Sequence, residues 1–160
     1  MALFIKFDGV DGECNDKDHK GWVDLLSMGW GAHKAGGGAT GQTRRRGVAT
    51  VEDIIVTKEF DKSTPKLAEA VLSGKVFPKV EVHNTATYGD ARATFLKWEF
   101  KNAIVTSFNT SAAGMGDAVP VDNFSINFEE MKMTYAEYDA TGKKKGEVPI
   151  GWKVEEGEKA

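Results

Sequence analysis

Apolar and polar positions alternate with a period of two over most of this chain. Leu3, Ile5 and Phe7 fall on one side of an extended segment, with Phe4 and Lys6 on the other. Successive side chains of a strand point to opposite faces, so the alternation predicts half-buried strands. The same reading predicts strands over residues 22–30, 48–57, 77–87, 94–108 and 121–135. Several of these runs are apolar on both faces, as in Phe95, Leu96, Trp98 and Phe100. Such runs fit sheets covered on two sides, or a barrel wall buried in an assembly.

One segment breaks the rhythm. Between Pro65 and Ser73, Leu67, Val71 and Leu72 recur at helical spacing and are expected to hold a short helix against the sheets. Ser63 or Thr64 stands at its N-cap, Pro65 at the tolerant first position and Gly74 at its stop. A single short helix among many strands predicts a mainly β fold, a barrel or sandwich with the helix on its flank. From Gly31 to Gly47 the sequence GAHKAGGGATGQTRRRG has no large apolar residue and reads as a long extended loop. Loops of that length are uncommon inside compact domains and are usually functional or disordered. Residues 112–117 and 141–146 read as shorter turns, and with no repeat or linker visible, residues 1–160 are expected to form one domain.

Size agrees with this, since a chain of 160 residues buries roughly 70% of its unfolded surface on folding. No window holds the roughly 18 consecutive apolar residues of a membrane helix, so no membrane insertion is expected. Lys6 and Asp8 interrupt the apolar start, so no cleaved leader is expected either. Cys14 is the single cysteine and cannot form an intrachain disulfide. It reads as a free thiol on a turn, folded in a reducing compartment, with an intersubunit bridge as the alternative.

Candidate chemistry is sparse. Ser63-Thr64-Pro65-Lys66 fits the S-x-x-K pattern of penicillin-recognising serine enzymes, but Asp122-Asn123 lacks the serine before it and Lys145 replaces the threonine of K-T-G. Ser63 and Thr64 have a simpler task as helix caps, where loss to alanine costs about 1 kcal/mol. Asp8, Asp11, Glu13, Asp16 and Asp18 gather oxygen ligands in one turn, yet Asp16 stands where a calcium loop from Asp11 needs glycine, and Trp22 replaces its closing glutamate. His19, His33 and His83 are scattered and give no zinc spacing, leaving His19 a turn-stabilising hydrogen bond. Gly36-Gly37-Gly38 lacks the order of a phosphate loop, and Arg44-Arg45-Arg46 has no aromatic stacking platform beside it. These patterns predict no catalytic residue, cofactor, metal or nucleic-acid partner.

Charge is instead segregated. The net charge is −3, while the 31–47 segment carries +4 from Lys34, Arg44, Arg45 and Arg46, leaving −7 for the rest. Opposite patches on one subunit favour head-to-tail contacts between copies.

The stretch from Asp8 to Trp30, DGVDGECNDKDHKGWVDLLSMGW, resembles the opening of the haemolysin-coregulated protein (Hcp) family of type VI secretion. TKEFDKSTPKLAEAVLSGK from Thr57 to Lys75 resembles the family's strand, crossover and lone helix. Further resemblance lies in AIVTSFNTS from Ala103, FSINFEEMKMTY from Phe124 and GWKV from Gly151, so it covers nearly the whole chain. The resemblance implies a compact β-barrel of two packed antiparallel sheets with one flanking helix. It also implies a non-enzymatic subunit that forms hexameric rings, stacks them into a tube, is expelled by a contractile sheath behind a spike protein, and holds effector proteins in the ring lumen. The subunit is then expected to fold in the bacterial cytoplasm and to leave without a cleaved signal peptide. Lys34, Arg44, Arg45 and Arg46 are expected to dock on Asp11, Glu13, Asp16 and Asp18 of the next ring, and Gly29 to face the lumen. The alternative is a monomeric or dimeric β-barrel module that binds a small ligand or peptide.

Overall fold

The computed structural model describes residues 1–35 and 48–160. Its strands are β1 (Ala2–Phe7), β2 (Val23–Asp24), β3 (Ser27–Gly29), β4 (Ala32–Lys34), β5 (Ala49–Val51) and β6 (Ile54–Glu59), followed by the helix α1 (Thr64–Ser73). After it come β7 (Val76–Tyr88), β8 (Ala91–Ser111), β9 (Val121–Asn127), β10 (Glu130–Tyr138), β11 (Lys144–Lys153) and β12 (Glu158–Lys159). The main sheet runs β12-β11-β10-β8-β7-β1-β2, with β9 on the later part of β8, β6 on β9 and β3 on β6. Every pairing is antiparallel.

β8 makes this branching possible. Residues Leu96–Lys101 pair with β10, whereas Ile104–Ser111 pair with β9. Asn102 lies between the two stretches with φ of 49°, a left-handed conformation that asparagine tolerates better than most residues. Across from it on β7 stands Pro78, where the register passes from Phe77↔Ala103 to Lys79↔Lys101. A residue without an amide hydrogen fits a position where the ladder skips a pair.

The bend folds the sheet over itself. Ile5, Phe7, Val80, Val82 and Phe100 face Ile54, Val56, Phe124 and Ile126, and all of these are buried in one apolar core. Phe7 joins the layers, its ring 5.1 Å from Phe77 and 6.0 Å from Phe124. On the far side a two-residue bridge connects them: Leu25 donates its amide to Leu3 of β1, and Leu26 donates to Thr57 of β6. The mainly β fold with two packed layers matches expectation, but the wall is not a closed barrel, because β2 and β3 are separated by that bridge.

Other boundaries moved as well. The strand expected over residues 22–30 is β2 and β3, and that over 121–135 is broken by Phe128 and Glu129. The start of the expected 31–47 loop is strand instead, with Ala32–Lys34 of β4 paired to Ala49–Val51 of β5 just beyond its end. Arg44, Arg45 and Arg46 lie outside the described residues. On α1, Leu67 and Ala70 are buried and Val71 packs against the core, while Leu72 is 88% exposed. The helix is narrower on its apolar side than expected, since Leu72 falls about 100° past Val71, away from the face shared by Leu67 and Ala70.

Candidate assembly surfaces

The acidic turn between β1 and β2 is a small folded unit. Gly12 donates to Gly21 at 2.9 Å, Cys14 to Trp22 at 3.0 Å and Gly21 to Cys14 at 2.9 Å. Gly12 is buried so tightly that a Cβ built on it would stand 2.2 Å from the Trp22 carbonyl oxygen. Gly12→Ala is therefore expected to force the two arms of the turn apart and destabilise the protein by about 1–3 kcal/mol, read as a lower urea midpoint. Cys14 is buried, and burial pushes its thiol up from the ordinary value. That placement opposes the intersubunit disulfide.

Asp11, Glu13 and Asp18 project from the turn into solvent, but Asp16 does not join them. Its Oδ1 accepts from His19 Nδ1 at 2.7 Å, and its Oδ2 pairs with Arg92 of β8. The His19 hydrogen bond, aided by the turn amide of Asp18 and the Arg92 charge, holds the Asp16 carboxyl below the usual range. Asp16 is committed inside the subunit, which removes it from the expected stacking set. His19 does more than stabilise a turn. It is buried, stacks on Phe4 at 4.4 Å, and its Nε2 lies 2.9 Å from Nδ1 of His83 on β7.

Ser63 and Thr64 also have a different task from the one expected. Ser63 occupies the N-cap position, but no side-chain cap bond forms. Its hydroxyl turns back to Asp61 Oδ1 instead. Thr64 Oγ1 donates to Asp122 Oδ2 at 2.6 Å and accepts from Lys58 Nζ at 2.9 Å. Lys58 also lies 2.9 Å from Asp61 and 3.0 Å from Asp122. The competition is decided by charge: a buried ammonium and carboxylate draw the hydroxyls more strongly than the orphan helix amides do. The geometry explains Ser63 and Lys66 without catalysis, since Lys66 points out to Glu69.

A third surface was barely legible. The outer faces of β3, β6, β9 and the end of β8 form two rows, Ser27-Thr57-Asn123-Asn109 and Gly29-Ile55-Ser125-Ser107. Neither row contains a charged side chain, although Asp53 and Glu59 flank them on the same face of β6. Thr57 bonds Asn123 at 2.8 Å, Ser107 bonds Ser125 at 2.6 Å, and Thr106 reaches both Ser125 and Asp53. A depression of about 400 Å³ lies among them, bordered by Glu52 and Asp53, with Ile55 62% exposed at its side. By contrast, the outer face of β7, β8 and β10 carries the pairs Lys79–Glu99 and Lys101–Glu130. Gly29 lies on the face of Ile55 and Ser125. Lys34, at the end of β4, is exposed.

The described residues thus form a folded-over β sheet with one flanking helix. Residues 4–135 match the family model described as "Type VI secretion system effector, Hcp". The chain belongs to the Hcp family of type VI secretion proteins. It is 32% identical over 155 residues to "Protein hcp1" of Pseudomonas aeruginosa, covering 96% of this chain and 95% of that protein. A solved type six secretion system protein superimposes with a TM-score of 0.92 at 32% identity, over 99% of both chains. Hcp1 of Salmonella typhimurium shares the fold at a TM-score of 0.78 and 22% identity, over 99% of this chain and 98% of that one. Among the described residues, no helix is long and apolar enough to cross a membrane.

Proposed function

We propose that this chain is the repeating subunit of a type VI inner tube, closing into hexameric rings that stack and are driven out by sheath contraction behind a spike. Its work is mechanical delivery and cargo binding, without bond-making chemistry. Folding takes place in the bacterial cytoplasm, and export uses the secretion machine. Family membership supports the role in type VI secretion. The observation that carries the tube reading is the outer face of β3, β6, β9 and β8, a wall whose two central rows are hydroxyl, amide and Ile55 side chains, with the carboxylates Asp53 and Glu59 only at the ends of β6. Such a wall suits a lumen that must hold folded effector proteins of varied charge and let them go, since fixed charges of one sign would select or repel them. Gly29 lies in that wall.

Stacking is assigned to the segment on the β4-β5 stem, with Lys34, Arg44, Arg45 and Arg46 facing Asp11, Glu13 and Asp18 of the next ring. A heterologous contact repeats along an axis without closing, which is what a tube needs. The rings of Phe7, Phe77, Phe100 and Phe124 are buried between the layers, so a ligand-binding module would have to use the groove of about 470 Å³ beside Trp30, Val51 and Trp152 instead.

The test is light scattering with electron microscopy on the purified chain and on Arg44→Glu/Arg45→Glu/Arg46→Glu. Six-chain rings are expected from both, and stacked tubes from the wild type alone, with the difference shrinking at high salt. A strict monomer removes the tube reading. Equal stacking by the variant at low salt removes the arginine assignment.

A further inference from the structure

Asp16, His19, His83 and Arg92 take no part in the lumen wall, yet they decide how the acidic turn is held. The turn's side-chain links to β7 and β8 run through His19 to His83 and through Asp16 to Arg92. Its own hydrogen bonds, Gly12 to Gly21 and Cys14 to Trp22, are internal and do not attach it to those strands. Trp22 closes over the pair, 4.8 Å from His19 and 4.6 Å from His83.

The proton count in this cluster is restrictive. His19 Nδ1 must donate to the Asp16 carboxylate, so the 2.9 Å contact between His19 Nε2 and His83 Nδ1 holds one proton, carried by either ring. A proton taken up at His83 Nε2 alone leaves that contact intact, whereas a second proton within it, reached only when both rings are cationic, places two N–H donors head to head. We infer that this cluster is an acid-released latch: one shared proton fastens the acidic turn to β7, and a second frees it.

The surroundings bias the latch toward its closed state at neutral pH. Around His83 stand His19 and Asp16 from the turn, Glu81 on β7, and Arg92, Lys97 and Glu99 on β8. Lys6 of β1 lies over the Trp22 ring. Burial, with the positive charge of His19 and Lys97 outweighing Glu81 and Glu99, pushes His83 down to about 4. A histidine depressed in the folded state contributes stability above its unfolded value near 6.5, lost as pH falls toward about 4. The turn is therefore closed at neutral pH and loosens across that window. Asp11, Glu13 and Asp18 move with it, so acid would loosen stacked rings; that consequence rests on the stacking role proposed above, whereas the latch itself does not.

Hydrogen exchange on the full-length chain at about pH 7.5 and 4.5, corrected for intrinsic rates, tests the latch. Protection of the Gly12, Cys14, Gly21 and Trp22 amides is expected to fall about tenfold or more in acid, with the α1 amide of Leu67 unchanged. His83→Gln keeps a donor for His19 but cannot take the second proton, and is expected to hold its protection at the lower pH. Equal protection of the wild-type turn at both values, or the same acid loss in His83→Gln, overturns the inference. Should His83→Gln fail to fold, NMR of the wild-type imidazoles decides: His83 titrating well below 6.5 together with a shift of the Trp22 indole is expected, and titration near 6.5 with Trp22 unmoved overturns it. Exchange is read within one subunit, so a released turn on an intact tube would sink the stacking assignment while leaving the latch standing.

Discussion

Asp122→Ala is expected to destabilise the folded chain by about 3–5 kcal/mol, the loss typical of breaking a buried ion pair from one side. Lys58 and Asp122 are both 0% exposed and sit 3.0 Å apart as register partners on β6 and β9. Removing the carboxylate leaves an ammonium in the interior with Asp61 as its remaining counter-charge, and leaves the Thr64 hydroxyl without its acceptor. The same network anchors the start of α1, so the helix should loosen with it. Replacing both ions, as Lys58→Met with Asp122→Leu, is expected to cost less than Asp122→Ala alone, because no unpaired charge stays behind. Urea unfolding of the three chains checks the order; an Asp122→Ala midpoint equal to wild type would show that the ions are not holding β6 to β9.

Phe124→Ala is expected to cost about 3–5 kcal/mol for a different reason, an apolar void that the two layers cannot close. Phe124 is buried on β9, with Phe7 at 6.0 Å from the opposite layer and Phe108 at 6.4 Å beside it. Collapse into the space would require the layers to approach each other, which the intervening Phe7 and Phe77 rings prevent. Thermal melts at one fixed protein concentration give the comparison, since self-association would make the midpoint concentration-dependent. A loss below about 1 kcal/mol would mean that β9 packs more loosely than its burial indicates.

The legible parts of this fold were those with local causes. Alternation in Leu3, Ile5 and Phe7 and the Pro65 and Gly74 punctuation of α1 are properties of short windows, and both hold in the structure. Strand β11 went unread because KKGEVPIGWK carries three lysines, a proline and two glycines, which an outer strand tolerates and a propensity argument rejects. The Lys58–Asp122 pair left a signal that was overlooked: Lys58 continues the inward series of Ile54 and Val56, and Asp122 that of Phe124 and Ile126. A charge in an apolar phase needs a partner, but naming it requires knowing that β6 and β9 are neighbours. His19 and His83 are likewise 64 positions apart, so only the fold brings them together. The hydroxyl and amide rows around Ile55 went unread for a similar reason, since they are assembled from four strands and no single segment displays them.

The long strand β8 has a mechanical meaning. Its first part belongs to the layer of β7 and β10 and its last part to the layer of β9 and β6, with the turn of direction made inside one continuous backbone at Asn102. Force applied to the layer of β9 and β6 therefore reaches the layer of β7 and β10 along covalent bonds, without crossing a loop or relying on side-chain friction between layers. Separating the layers means stripping β8 from its partners along its length, many hydrogen bonds at a time. A particle that is pushed hard along one axis gains stiffness from such a shared strut, because neither layer can slide while the other stays in place.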